Sequence, residues 1–185
     1  HGSVLNASKL GQSLDTSHTT VRKYVDILEQ TFMVRVLRPL EVNWKKRLVK
    51  TPKVYLRDSG LLHTLLEIGS REELLGHPVF GHSWEGWCIE QIVAALPGWQ
   101  DSYFRDSAGE EIDLLMTRGN HRLAFEMKAS LSPRTSPRLE SLLDGVGAER
   151  AWVLCPTEAP SYPLSAAIRV SGITECLEHL RPFGA

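Results

Sequence analysis

The tightest constraint in this sequence is the dipeptide Gly119-Asn120. It separates two apolar runs, Ile112-Asp113-Leu114-Leu115-Met116 and Leu123-Ala124-Phe125-Glu126-Met127. Glycine accepts the positive φ that primed two-residue turns require, so the pattern predicts a tight β-hairpin. With Gly119 and Asn120 as the loop, Arg118 faces His121. Carried along the ladder, that register sets Asp113 opposite Glu126 and Glu111 opposite Lys128. Strand side chains alternate between faces, which places Glu111, Asp113, Glu126 and Lys128 on one side of the sheet. Two carboxylates facing each other across a ladder repel. A divalent cation between them reverses that sign, because carboxylate oxygens are hard ligands suited to magnesium. Lys128, on the same face, is placed to stabilise a phosphoryl transition state or to orient water. A solvated sheet with its polar residues outward accounts for the same pattern, and both readings stand at this point.

At 185 residues the chain is long enough for one full domain and a smaller one. No segment has the apolar length of a membrane span, and the start shows no signal-peptide pattern. Cys88, Cys155 and Cys176 are odd in number and widely spaced. They form neither a zinc motif nor a disulfide framework, so a reducing cytoplasm is the expected location. The near-neutral total hides an asymmetry. Residues 1–60 carry 11 Lys/Arg and 5 Asp/Glu, a balance of +6. The remaining residues carry 10 and 17, a balance of −7, and together these give the formal −1. A basic first third beside an acidic remainder predicts two modules, the first turned toward an anionic partner.

In the first module, residues 7–14 read as a short helix capped by Asn6. A polar break at Asp15-Thr16-Ser17 precedes a longer helix from about His18 to Gln30. Its expected buried stripe is Val21, Val25 and Leu28, widened by Tyr24 and Ile27. A short helix, a tight turn and a longer helix make a helix-turn-helix. Strand runs follow at 33–37 and 53–56, joined by the basic loop Asn43-Trp44-Lys45-Lys46-Arg47. That order describes a winged helix with the basic loop as its wing. Thr19, Thr20, Arg22 and Lys23 fall on the outer side of the second helix, where such modules contact DNA. A protein-docking or hinge module has the same outline.

The second module opens with a connecting helix near Leu61–Leu66 and a loop punctuated by Gly69, Gly76 and Pro78. An amphipathic helix is expected from Ser83, a good N-cap, to Leu96, stopped by Pro97-Gly98. At ~100° per residue, Trp84, Cys88, Ile89, Ile92, Val93 and Leu96 form one apolar arc. Glu85 falls near the middle of that arc, whereas Glu90 lies about 140° away on the polar side. A carboxylate on a buried face is costly unless paired, protonated or metal-bound. Glu85 is therefore the anomalous residue, although its place in the first turn also suits the helix dipole. A strand near 102–105 and the hairpin come next. Ser136-Pro137 then reads as the N-cap and first residue of a further helix. The apolar run Ala151–Cys155 suits a strand buried on both faces of a parallel pairing. A strand near 168–170 and a helix near 173–180 end the order. No GxxxxGKS/T occurs, so ATP has no P-loop site in this chain.

Glu85 on a helix, Asp113 on a strand and Glu126-Met127-Lys128 on the next resemble the PD-(D/E)XK nuclease-like fold. Its core order is αβββαβ, and its members cut nucleic acid with a divalent metal. Ile112 stands where the motif's name has proline. A longer pattern runs through Thr51-Pro52-Lys53-Val54-Tyr55-Leu56-Arg57-Asp58-Ser59-Gly60, Gly81-His82-Ser83-Trp84-Glu85, Tyr103-Phe104-Arg105-Asp106 and Glu126-Met127-Lys128-Ala129-Ser130. It resembles the domain of unknown function that follows the AAA-type ATPase domain in many prokaryotic proteins. The resemblance implies a mixed α+β fold: a winged helix over 1–57, a connector over 58–82 and a restriction-endonuclease-like αβββαβ domain over 83–185. It implies catalytic positions at Glu85, Asp113, Glu126 and Lys128, with Asp113 and Glu126 holding Mg2+ or Mn2+. It also implies an upstream ATPase domain in which ATP would bind, and nucleic acid, DNA foremost, or a protein as partner. A nuclease fold retained only for binding is the alternative that the same residues allow.

The first module is expected to bind duplex DNA weakly and with little sequence preference. Each neutralised phosphate releases condensed counterions, so affinity should fall steeply with salt. Replacing Lys45, Lys46 and Arg47 together by Ala should weaken binding and flatten the salt slope in a fluorescence-anisotropy titration. Unchanged affinity and slope would assign the module to docking instead.

Overall fold

The chain was analysed as a computed structural model, which describes residues 1–41 and 49–184. It is a mixed α/β structure with two sheets and seven α-helices among those residues. The first part comprises β1 (Ser3–Val4), α1 (Ala7–Ser13), α2 (His18–Gln30), β2 (Val34–Leu37) and β3 (Lys53–Leu56). Then come α3 (Ser59–Leu65), α4 (Arg71–Gly76), α5 (Phe80–Ala95), β4 (Gln100–Arg105), β5 (Glu111–Arg118) and β6 (His121–Met127). The chain closes with α6 (Leu139–Val146), β7 (Arg150–Leu154), β8 (Tyr162–Pro163), β9 (Ile168–Ser171) and α7 (Ile173–Leu180).

Capping starts the first two helices where the sequence predicts. Asn6 accepts from the Lys9 amide at 2.9 Å, and Ser17 accepts from the Thr20 amide at 3.1 Å. The strands form an antiparallel sheet in the order β1-β3-β2, with β3 in the middle. The expected buried stripe of α2 is only partly present. Val21 is buried, but Tyr24, Ile27 and Leu28 are exposed, because the small sheet offers cover to one edge of the helix alone. Elements β1, α4 and the two-residue β8 escaped the pattern reading. The two-residue β1 is too short to alternate. The single-turn α4 starts with Ser70, whose hydroxyl accepts from Glu73 N–H while Glu73 accepts from Gly69 N–H, a reciprocal cap over a stretch read as loop.

The larger sheet runs β4-β5-β6-β7-β9-β8. The β4-β5-β6 part is antiparallel, while β7 pairs parallel with both β6 and β9. A parallel pair needs a long crossover, which α6 supplies between β6 and β7. Helices cover both faces. Cys88, Ile89 and Ile92 of α5 and its C-cap Leu96, with Cys176 and Leu180 of α7, pack on one side against Leu114, Leu123, Phe125 and Trp152. Leu139, Leu142, Leu143 and Val146 of α6 pack on the other against Leu115, Ala124 and Val153. That double cover explains why Ala151–Leu154 is apolar at every position. Leu37 of β2 and Tyr55 of β3 belong to the α5 core, so both sheets share one interior.

Two helix starts differ from expectation. The α5 helix begins at Phe80, leaving Ser83 inside it; Ser83 Oγ lies 2.7 Å from His63 Nε2 of α3 rather than capping. The α6 helix begins at Leu139, three residues after Ser136, whose hydroxyl accepts from the Arg138 amide at 3.2 Å and donates to Glu110 at 2.9 Å. Glu90, expected on the surface, is largely covered. Arg35 Nε approaches its Oε1 at 2.5 Å and Arg57 Nε its Oε2 at 2.8 Å, while Arg35 also pairs with Asp101 at 2.9 Å. These ion pairs tie the small sheet to α5 and β4. Removing one partner of a covered pair leaves the other charge desolvated without compensation. Glu90→Ala should therefore cost about 3 kcal/mol in denaturant unfolding; a loss under about 0.5 kcal/mol would mean that the pairs behave as surface bridges.

Candidate functional site

The hairpin forms in the expected register. Arg118 faces His121, and the ladder runs to Leu114 opposite Phe125. Gly119 has φ of 59°, the positive value a primed turn demands of its first central residue. Asp113 and Glu126 come one step beyond the last paired residues, and there simple alternation ends. On β4, Ser102 pairs with Leu115 and Phe104 with Ile112, so two steps on β4 span three on β5. This is a β-bulge. It splits the neighbours of Asp113 between the two cores: Ile112 and Leu115 pack under α6, whereas Leu114 and Met116 pack under α5. Released from the ladder, Asp113 accepts the Met127 amide hydrogen at 2.8 Å through Oδ2.

The side chains of Glu85, Glu111, Asp113, Glu126, Lys128 and Lys53 line one open cleft of about 630 Å³. Glu85 lies on the buried face of α5 and is only 8% exposed, as its place in the apolar arc predicts. Carboxylate oxygens of Glu85, Glu111 and Asp113 lie within 4.8 Å of one another. Glu126 stands outside that trio, and its Oε1 accepts from Lys128 Nζ at 2.5 Å. Its other oxygen, Oε2, is buried and has no hydrogen-bond partner among the described residues. Thr19, Arg22 and Lys23 are exposed on α2, whereas Thr20 is half-buried with its hydroxyl 2.9 Å from Ser17 Oγ. Lys45, Lys46 and Arg47 lie outside the described residues.

Lys53 is the site residue that the motif reading missed, and Glu111 gains a partner that reading did not give it. From the central strand of the small sheet, Lys53 Nζ reaches Glu85 Oε1 at 2.8 Å, contacts Glu111 Oε1 and lies 3.9 Å from Asp113 Oδ1. The Tyr55 hydroxyl donates to the same Glu85 oxygen at 2.5 Å. One sequence signal was available. Lys53 sits two residues from Tyr55, so a buried Tyr55 puts Lys53 on the buried face.

The electrostatics follow from this crowding. Burial disfavours the Lys53 ammonium, but attraction to Glu85, Asp113 and Glu111 outweighs it and holds the pKa above the ordinary lysine range. Burial also disfavours the Glu85 carboxylate, yet hydrogen bonds from His82, Lys53 and Tyr55 with the Lys53 charge bring its pKa below the usual value. Asp113 goes the other way. Burial, then repulsion from Glu126 and Glu85, pushes it well up despite Lys53 and the Met127 amide. Glu126 is raised as well, by burial and by Glu111 and Glu85, with Lys128 opposing. The donor set is all carboxylate oxygen, the chemistry preferred by Mg2+ and Mn2+.

A carboxyl that titrates higher when folded than when unfolded costs stability once ionised. The cost is absent below the unfolded value near ~4 and grows as pH rises through the folded one. Asp113→Asn carries no such charge and keeps an oxygen for the Met127 amide. It should be more stable than wild type by about 1 kcal/mol at neutral pH, roughly 2–4 °C in Tm. The advantage should vanish on acidification. A variant less stable than wild type across the pH range would show that ionised Asp113 is held favourably.

Residues 1–72 match the family described as domain of unknown function DUF8612, and residues 80–175 match that described as domain of unknown function DUF4143. Two curated relatives are "Uncharacterized protein Rv2008c" of Mycobacterium tuberculosis and "Uncharacterized protein Mb2031c" of Mycobacterium bovis. Each is 36% identical over 168 residues, which cover 91% of this chain and 38% of the relative. The chain thus spans well under half the length of these relatives. No solved structure matches it. The second match takes in α5, the bulged hairpin and β7, and with them every carboxylate of the cleft, so the chain belongs to the DUF4143 family.

Proposed function

We propose that the cleft is the metal site of a phosphodiesterase acting on nucleic acid. The observation that carries this reading is the trio Glu85, Glu111 and Asp113, whose oxygens converge within 4.8 Å beside Glu126 and Lys128. The order α5-β4-β5-β6-α6-β7 follows the αβββαβ order of the PD-(D/E)XK fold, and the first part has the outline of a winged helix. The buried, unpartnered Glu126 Oε2 is a further oxygen in want of a cation or a proton. Asp113, with Glu111 and Glu85, would hold Mg2+ or Mn2+, and Glu126 would complete or orient the set. The ion would supply Lewis-acid charge and a more acidic bound water. Lys128 Nζ would stabilise negative charge developing on the phosphoryl oxygens as water adds to phosphorus and one P–O ester bond breaks. Exposed Thr19, Arg22 and Lys23 would contact the phosphate backbone. The whole protein would be an AAA-type ATPase that binds ATP outside this chain, with the relatives' greater length leaving room for such a domain.

One observation favours a second reading, a non-catalytic module that positions DNA or a protein. Lys53 already neutralises part of the cluster. Incubation of duplex DNA, single-stranded DNA and RNA with Mg2+ or Mn2+ separates the two. Under the first reading wild type cleaves at least one substrate only with metal, and Asp113→Asn and Lys128→Ala each lose about 100-fold or more in rate. No metal-dependent cleavage of any of the three, even with the rest of the polypeptide attached, leaves the binding module standing.

A further inference from the structure

We infer that Lys53 is a built-in counter-cation of the carboxylate trio, so that a divalent ion enters the site only by displacing its ammonium group. This rests on the metal-site reading above and deepens it: the strand β3, outside the stretch matched to DUF4143, sets how tightly the metal binds. The ammonium is seated on the carboxylates a metal would use, 2.8 Å from Glu85 Oε1, in contact with Glu111 Oε1 and 3.9 Å from Asp113 Oδ1. Its side chain is 5% exposed. Nζ lies 5.6 Å from the centre of the Tyr103 ring and 6.0 Å from that of Tyr55, which adds cation–π attraction. The strand that presents it is held on both edges, Lys53 facing Val4 on β1 and Leu37 on β2. A second observation points to a cation beyond Lys53. Glu126 Oε2 is buried in the same cleft and has no hydrogen-bond partner among the described residues, whereas Oε1 of the same carboxylate is held by Lys128.

The two cations exclude each other. Magnesium requires near-octahedral oxygen ligands at about 2.1 Å, and an ion drawn that close to Glu85 and Glu111 would stand within a few ångströms of the ammonium that both carboxylates hold. Like charges a few ångströms apart in a poorly solvated cleft repel strongly. A divalent ion must therefore expel the ammonium toward solvent. That step weakens binding relative to a site without Lys53. Movement of β3 against α5 would relieve the block, which makes the small sheet a lever on the metal site.

Calorimetric titration with Mn2+ and with Mg2+, together with thermal melts in EDTA and in excess Mn2+, tests the inference on the whole chain. Lys53→Met keeps the length and removes the charge; Lys53→Arg keeps the charge. We expect Lys53→Met to bind Mn2+ about tenfold or more tightly than wild type. It should melt lower than wild type in EDTA and recover in Mn2+, while Lys53→Arg stays at wild-type affinity. Adding Asp113→Asn to Lys53→Met should abolish the gain. Wild type binding Mn2+ as tightly as Lys53→Met overturns the inference and leaves the metal site intact. A Lys53→Met protein that stays unfolded in excess Mn2+ also overturns it, since the ion then cannot replace the ammonium. Absence of metal binding in both folded proteins overturns the metal-site reading itself.

Discussion

A single buried ammonium organises this molecule. Lys53 leaves the central strand of a small sheet and ends among carboxylates that belong to α5 and β5. Without it, Glu85, Glu111 and Asp113 would share a poorly solvated corner with no compensating charge, an arrangement that costs several kcal/mol. The contact also fixes how the two sheets meet. Tyr55, two residues along β3, packs into the core under α5 and bonds the same Glu85 oxygen. The ion pairs of Glu90 with Arg35 and Arg57 repeat the theme a turn and a half further along α5. One helix thus presents two carboxylates, on different faces, to cations of the small sheet.

The bulge on β5 is the second determinant. A regular strand would give Asp113 to one face and Leu114 to the other for the whole length of the ladder. Inserting one residue between Ile112 and Leu115 frees Asp113 to turn toward α5 and to bond the Met127 amide, while Leu114 still reaches the core beneath that helix. Strands β5 and β6 stop pairing at this point, and the residues just beyond, Asp113 and Glu126, line the cleft.

How much of this was legible depended on the range of the interaction that decides each feature. The caps at Asn6 and Ser17, the Gly119 turn, the doubly covered run at 151–154 and the terminal helix rest on neighbours within a few residues, and each lies where the sequence predicts. Glu85 stood out because a charge in an apolar arc is anomalous whatever packs against it. Glu90 did not, because its partners Arg35 and Arg57 are 55 and 33 residues away and nothing local to α5 reveals them. The bulge was equally hidden, since the pairing with β4 creates it and the hairpin register ends before it. Lys53 occupied the middle ground. Its alternation with Tyr55 marked the buried face, but lysine at such a position reads as a strand end until its three carboxylate neighbours are known.

The same long-range pairs give the charge asymmetry a cause inside the molecule. The +6 balance of residues 1–60 and the −7 of the remainder suggest a basic module facing an anionic partner. Yet Arg35 and Lys53 on the small sheet, with Arg57 just beyond β3, pair with Glu90, Asp101, Glu85 and Glu111 of the acidic part. Three of the eleven cations therefore face inward, and half of the +6 excess is matched within the chain. Attraction between the two parts accordingly accounts for half of a segregation that an outside polyanion would otherwise have to explain. Net charge by segment measures internal complementarity as well as external reach, and among the described residues the exposed cations, those on the outer side of α2 included, are the ones that speak for a partner.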